Sequence, residues 1–133
     1  MSDIFRLMLA QLNPVVGDIA GDIAKAREAW AAGHAAGADM VALTEMFVTG
    51  YQTQDLILKP AFVAAAVAAV ERLAVECSDG PALGIGGPVP HGGKLYNGYY
   101  VLEGGRVHAR VLKHHLPNDA VFDEKRVFAS ADV

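Results

Sequence analysis

Two charges stand where apolar runs stop. Residues 40–43 (MVAL) form a short apolar run that breaks at a single carboxylate, Glu45, before Met46, Phe47 and a Gly50-Tyr51 turn. Glu45 is therefore predicted at the carboxyl end of a buried strand, the place where α/β folds put their ligand crevices. The neighbouring Met46, Phe47 and Tyr51 predict shielding from water, which suits a carboxylate to general-base work. Lys113 closes the apolar run 107–112 in the same way. Lysines are buried only with a partner, and Glu45 would supply one. The same pattern also fits an ordinary solvated glutamate and lysine at two strand ends.

The elements that must position these groups follow from periodicity. Residues 4–12 (IFRLMLAQL) are a near-continuous apolar run closed by Asn13-Pro14, which predicts a first strand buried on both faces. After Gly17-Asp18, the residues Ile19, Ile23, Ala26, Trp30 and Gly33 recur at helical spacing among Asp22, Lys25, Arg27 and Glu28, so an amphipathic helix is expected to end at Gly37. Residues 39–44 form a second strand, parallel to the first through that right-handed crossover. A helical turn at 55–58 and a helix opening at Pro60, with Phe62 or Val63, then Ala66, Val70, Leu73 and Cys77 on one face, come next.

Residues 82–89 (ALGIGGPV) predict a third strand. They lack a GxGxxG followed by a helical pattern, and Pro88 removes a donor that a phosphate cradle would use. Residues 94–102 and 107–112 predict a hairpin joined through Glu103-Gly104-Gly105-Arg106, because paired glycines supply the positive φ angles of a two-residue turn.

Size and composition narrow the class. The chain has 133 residues, 53% of them hydrophobic and 20% charged, with a net charge of −4. That composition describes a folded chain of single-domain size and leaves no basic footprint for nucleic acid. The longest apolar stretch, residues 60–70, is far short of the ~20 residues of a membrane-spanning helix. A single cysteine and no basic amino-terminal segment make a reducing cytoplasm the expected location. Cys77 falls on the apolar stripe of the second helix and reads as a small core hydrophobe. The five histidines show no ligand spacing, so no metal site is expected.

Four segments carry a resemblance: TEMFVTGY around Glu45, GGPVPHGGKLYNGYY from Gly86, LKHHLPN around Lys113 and VFDEKRVF from Val121. Together, and in this order, they resemble the nitrilase-type (carbon-nitrogen hydrolase) family, and within it the amino-terminal glutaminase domains of glutamine-dependent NAD synthetases. The resemblance implies an α/β fold, an α-β-β-α sandwich of which residues 1–133 are the amino-terminal part. It also implies hydrolysis of the glutamine side-chain amide by a Glu-Lys-Cys triad. Glu45 matches the general base and Lys113 the triad lysine. Glu124 matches a second glutamate that helps hold that lysine, and Tyr51 a residue near the glutamine pocket. Ammonia would pass to a carboxyl-terminal synthetase domain, absent from this chain, that uses ATP and Mg²⁺ to convert nicotinic acid adenine dinucleotide to NAD. No cofactor is implied for residues 1–133, and the full enzyme is expected to be a homo-oligomer.

The chain departs from the family pattern at three points. The nucleophilic cysteine would follow the lysine by several tens of residues, yet the twenty residues after Lys113 contain none. Asp119 stands in place of a tyrosine that lines the glutamine pocket, where it could meet the substrate's ammonium or repel its carboxylate. Thr44 stands where a proline usually precedes the glutamate. The expectation is thus a piece of a longer enzyme, inactive by itself. A stand-alone nitrilase-type amidase and a non-catalytic binding remnant are the alternatives.

Overall fold

Residues 3–51, 53–114, 116 and 128–130 are described in the computed structural model, with the backbone alone described at Gln54. Their strands form one five-stranded sheet in the order β1 (Leu7–Leu9), β2 (Met40–Ala42), β3 (Ala82–His91), β4 (Lys94–Glu103) and β5 (Arg106–Leu112). The first two pairings are parallel and the last two antiparallel. Two helices, α1 (Ile19–Ala35) and α2 (Pro60–Glu76), are the crossovers, and a 3-10 turn at Gln54–Leu58 precedes the second.

Local chemistry accounts for the helix boundaries. Asp18 caps α1 by accepting from the Gly21 N–H at 3.0 Å, and Gly37 leaves the helix with φ of 79°. Pro60 starts α2 at the position where its missing N–H costs nothing. Both helices turn small residues inward: Ala26, Ala29 and Gly33 from α1, Ala66, Ala69 and Ala74 from α2. At Gly33 an added Cβ would stand 2.2 Å from Val41 Cγ2, so the glycine lets α1 settle directly on β2.

The core lies between the helices and one face of the sheet. Strand alternation sends Val41, Leu83, Ile85, Tyr100 and Leu102 into it, where they meet Val70 and Leu73 of α2. Each fully buried aliphatic side chain contributes about 1.5–3 kcal/mol. The opposite face carries Leu7, Leu9, Tyr99 and Val111 and is uncovered among the described residues, with Leu9 71% exposed. This corresponds to one helix layer and one sheet of the expected sandwich.

The parallel β1–β2 pair, both helices and the β4–β5 hairpin stand where the pattern predicts them. Gly104 and Gly105 take φ of 63° and 83° at the hairpin turn. Two corrections are needed. The first strand is three residues long and not buried on both faces: it is a sheet edge, and the helices cover only its Met8 side. β3 also runs on to His91 and turns through Gly92-Gly93 into β4, a second two-residue hairpin with φ of 58° and 77°. Its Gly-Gly pair carries the same turn signal as Gly104-Gly105. No helix among the described residues is long and apolar enough to cross a membrane.

Candidate active site

The end of β2 is stitched down onto β3. Leu43 N–H donates to Gly84 O at 2.8 Å, Gly86 N–H to Thr44 O at 3.2 Å, and Val48 N–H to Gly86 O at 3.1 Å. The glycines of β3 therefore serve close backbone approach and not a phosphate. Between these ties Met46 takes φ of 51°, the single described non-glycine residue with positive φ. Such strain costs about 1–3 kcal/mol and is held in place only by surrounding contacts.

That kink decides which way the side chains face. Met46 and Phe47 are both buried, in separate clusters: Phe47 in the main core, Met46 with Ile57, Val63 and Phe128. Glu45 itself is less shielded from water than its apolar neighbours predict. The Glu45 side chain is 41% exposed and opens on the uncovered face of the sheet. Lys113, just past β5, reaches it there. Its Nζ lies 3.0 Å from Glu45 Oε1, and its side chain is 26% exposed.

The lysine is fixed from several sides. Its backbone N–H donates to Asn97 O at 2.8 Å, which extends the β4–β5 ladder by one bond. The Tyr51 ring centroid lies 5.7 Å from Nζ, within cation–π range, while that ring also packs against the Met46 cluster. Glu45, Lys113, Asn97, Gly98, Tyr99 and Val111 line a cleft of about 220 Å³. An ammonium beside a carboxylate in a small cleft can hold a proton at one group and stabilise a developing oxyanion with the other.

Asn97 and Tyr99 were not singled out in the sequence. Asn97 is buried, and the Tyr99 hydroxyl donates to Leu43 O at 2.9 Å. Burial raises the Tyr99 pKa above its usual 10, so the group remains a donor through the neutral range. The available signal was their place in KLYNGYY, one strand away from Glu45. Asp119 and Glu124 lie outside the described residues.

Cys77 caps the carboxyl end of α2 inside the helix-side core, on the other side of the sheet. Burial pushes its thiol up to about 11, which keeps it protonated and inert at neutral pH. Among the described residues no group of three or more His, Cys, Asp or Glu side chains converges to hold a metal ion.

Residues 6–133 match the family described as carbon-nitrogen hydrolase. The glutamine-dependent NAD(+) synthetase of Rhodobacter capsulatus is 61% identical over 133 residues, which is 100% of this chain and 24% of that protein. The synthetase of the same description from Xylella fastidiosa (strain Temecula1) is 36% identical over 96% of this chain and 24% of its own length. The chain thus spans about a quarter of these curated relatives. Among solved structures, a glutamine-dependent NAD+ synthetase from Acinetobacter baumannii superposes with a TM-score of 0.90 at 31% identity, over 97% of this chain and 24% of that one. An amidase of the nitrilase superfamily from Nesterenkonia AN1 gives 0.82 at 22% identity, over 97% of this chain and 49% of that one, a likeness of fold alone.

Proposed function

Because the chain belongs to the carbon-nitrogen hydrolase family, we propose that it supplies the base and the cation for hydrolysis of the glutamine side-chain amide, within a longer glutamine-dependent NAD synthetase. The observation that carries this reading is the 3.0 Å Glu45–Lys113 pair in its cleft, in a chain 61% identical to a protein so named.

Glu45 takes the proton of a cysteine thiol as sulfur attacks the amide carbon and a C–S bond forms. The oxyanion that develops lies beside the Lys113 ammonium. One such preorganised charge is worth about 3–4 kcal/mol of barrier. Collapse breaks the C–N bond, and Glu45 passes its proton to the departing ammonia. Water then attacks the thioester with Glu45 as base again, which releases glutamate and restores the thiol.

The thiol comes from the part of the relatives' length that this chain does not span, since Cys77 is committed to the core. The uncovered sheet face, onto which the cleft opens, is where that part would close the sandwich. Ammonia would be consumed by a synthetase region that handles ATP and Mg²⁺, to which no residue of this chain is assigned. A homo-oligomeric assembly and a cytoplasmic location are expected on the same family grounds. The free thiol of Cys77 agrees with the location.

The test is glutamine hydrolysis by the protein as its cell makes it. Glu45→Gln should lower kcat by about 100- to 10,000-fold and Lys113→Met by about 100- to 1,000-fold. Unchanged hydrolysis in both variants would overturn the reading, and preference for another small amide would favour a stand-alone amidase.

A further inference from the structure

Tyr99 crosses from β4 over β3 to reach the end of β2. Its phenol lies over Gly84, where an added Cβ would stand 2.4 Å from the hydroxyl oxygen and 2.7 Å from ring carbon Cε2. Only a glycine leaves this passage open. At its far end the hydroxyl donates to the Leu43 carbonyl at 2.9 Å, while the Leu43 N–H donates to Gly84 O at 2.8 Å. The peptide groups on both sides of Leu43 are thereby held, two residues before Glu45. The same residue is part of the wall of the cleft that contains Glu45 and Lys113.

We propose that Tyr99 is a positioning residue: its hydrogen bond to the Leu43 carbonyl sets where the Glu45 carboxylate stands relative to the Lys113 ammonium. This inference rests on the reading of Glu45 as the base. The geometry supports it because the Tyr99 hydroxyl ties the backbone just before Glu45 to β4, while the Glu45 side chain itself meets Lys113 at the end of β5. Backbone bonds join this segment to β3, and the Tyr99 hydroxyl adds a bond from β4. Displacing a catalytic group by about 1 Å costs on the order of 100-fold in rate, and losing one of several anchors should cost part of that.

The experiment is a double-mutant cycle on the complete protein, read as kcat and KM for glutamine and as melting temperature. Tyr99→Phe keeps the ring and removes only the bond. It is expected to lower kcat about 10-fold with KM changed less than about two-fold, as for a group lost from positioning and not from binding. Gly84→Ala, which pushes the hydroxyl off Leu43, should lower kcat comparably. Combining the two should cost less than the two single losses together, because both break the same bond, while the added Cβ still meets the ring that Tyr99→Phe keeps. Full kcat in Tyr99→Phe, losses that add in the double variant, or a kcat loss that only tracks a lower melting temperature would each overturn the proposal. Glu45→Gln run in parallel separates the failures. Hydrolysis that survives it overturns the base reading together with this inference, whereas loss there beside full activity in Tyr99→Phe overturns the positioning role alone.

Discussion

Gly86 lies directly against Met46: an added Cβ at Gly86 would stand 2.3 Å from the Met46 nitrogen and 2.7 Å from the Thr44 carbonyl oxygen. The kink that aims Glu45 at Lys113 is therefore built on a missing side chain in the neighbouring strand. Both obstructing atoms are backbone, so they cannot swing aside as a side-chain tip would.

Gly86→Ala is accordingly expected to lift residues 44–46 off β3. Overpacking of this kind costs about 1–3 kcal/mol, and a shift of about 1 Å at Glu45 is expected to lower the proposed glutamine hydrolysis on the order of 100-fold. Steady-state kinetics beside a thermal melt read both effects, and wild-type kcat in this variant would contradict the role given to the glycine.

Asp22 supplies a pH signature. Its Oδ1 accepts from the Val15 N–H at 2.7 Å, while Oδ2 is buried and takes no hydrogen bond among the described residues. Burial raises the carboxyl above its usual 3.8, against the lowering effect of the Val15 bond and Lys25. A carboxyl with a raised folded pKa contributes stability below 3.8 and loses it as pH rises through the raised value. Wild type should therefore lose stability relative to Asp22→Asn across that interval and run parallel to it at higher pH. Chemical denaturation at a series of pH values measures the difference, and a flat or opposite trend contradicts the assignment. Asp22→Ala, which also removes the acceptor of Val15, should cost about 1.5–3 kcal/mol at neutral pH.

Cys77 is expected to be dispensable for chemistry. Cys77→Ala should retain the proposed glutamine hydrolysis, with a stability loss of about 1 kcal/mol from the small void it leaves in the core. With its thiol pushed up to about 11, Cys77 should resist an aromatic disulfide reagent at pH 8 until the protein is unfolded, as peptide mass analysis would report. Loss of hydrolysis in Cys77→Ala, at unchanged melting temperature, would reopen the question of its role.

Much of the framework was legible because it depends on local rules. Helical spacing marked α1 and α2, an unbroken crossover implied the parallel β1–β2 pair, and Gly104-Gly105 marked its hairpin. Glu45 and Lys113 were visible as charges that end apolar runs. Less legible was everything that depends on a neighbour in space. Two-residue alternation says nothing about a strand end that kinks at Met46, so the burial of Met46 and Phe47 in two separate clusters could not be read from their proximity in sequence. The first strand was misjudged because apolar content does not reveal which strand will lie at a sheet edge.

The sequence by itself determined the elements, their order and the two charges of the candidate site, because periodicity, turn residues and strand ends are properties of adjacent residues. Only the tertiary structure decided that those charges meet at 3.0 Å, that Gly84 and Gly86 make room for Tyr99 and for the kink at Met46, and that the cleft opens on the sheet face away from the helices. Each of those depends on contacts between neighbouring strands that lie far apart in the sequence, forty residues between Met46 and Gly86 and more between Glu45 and Lys113, fixed by sheet register and by where a side chain is missing, and neither leaves a periodic trace.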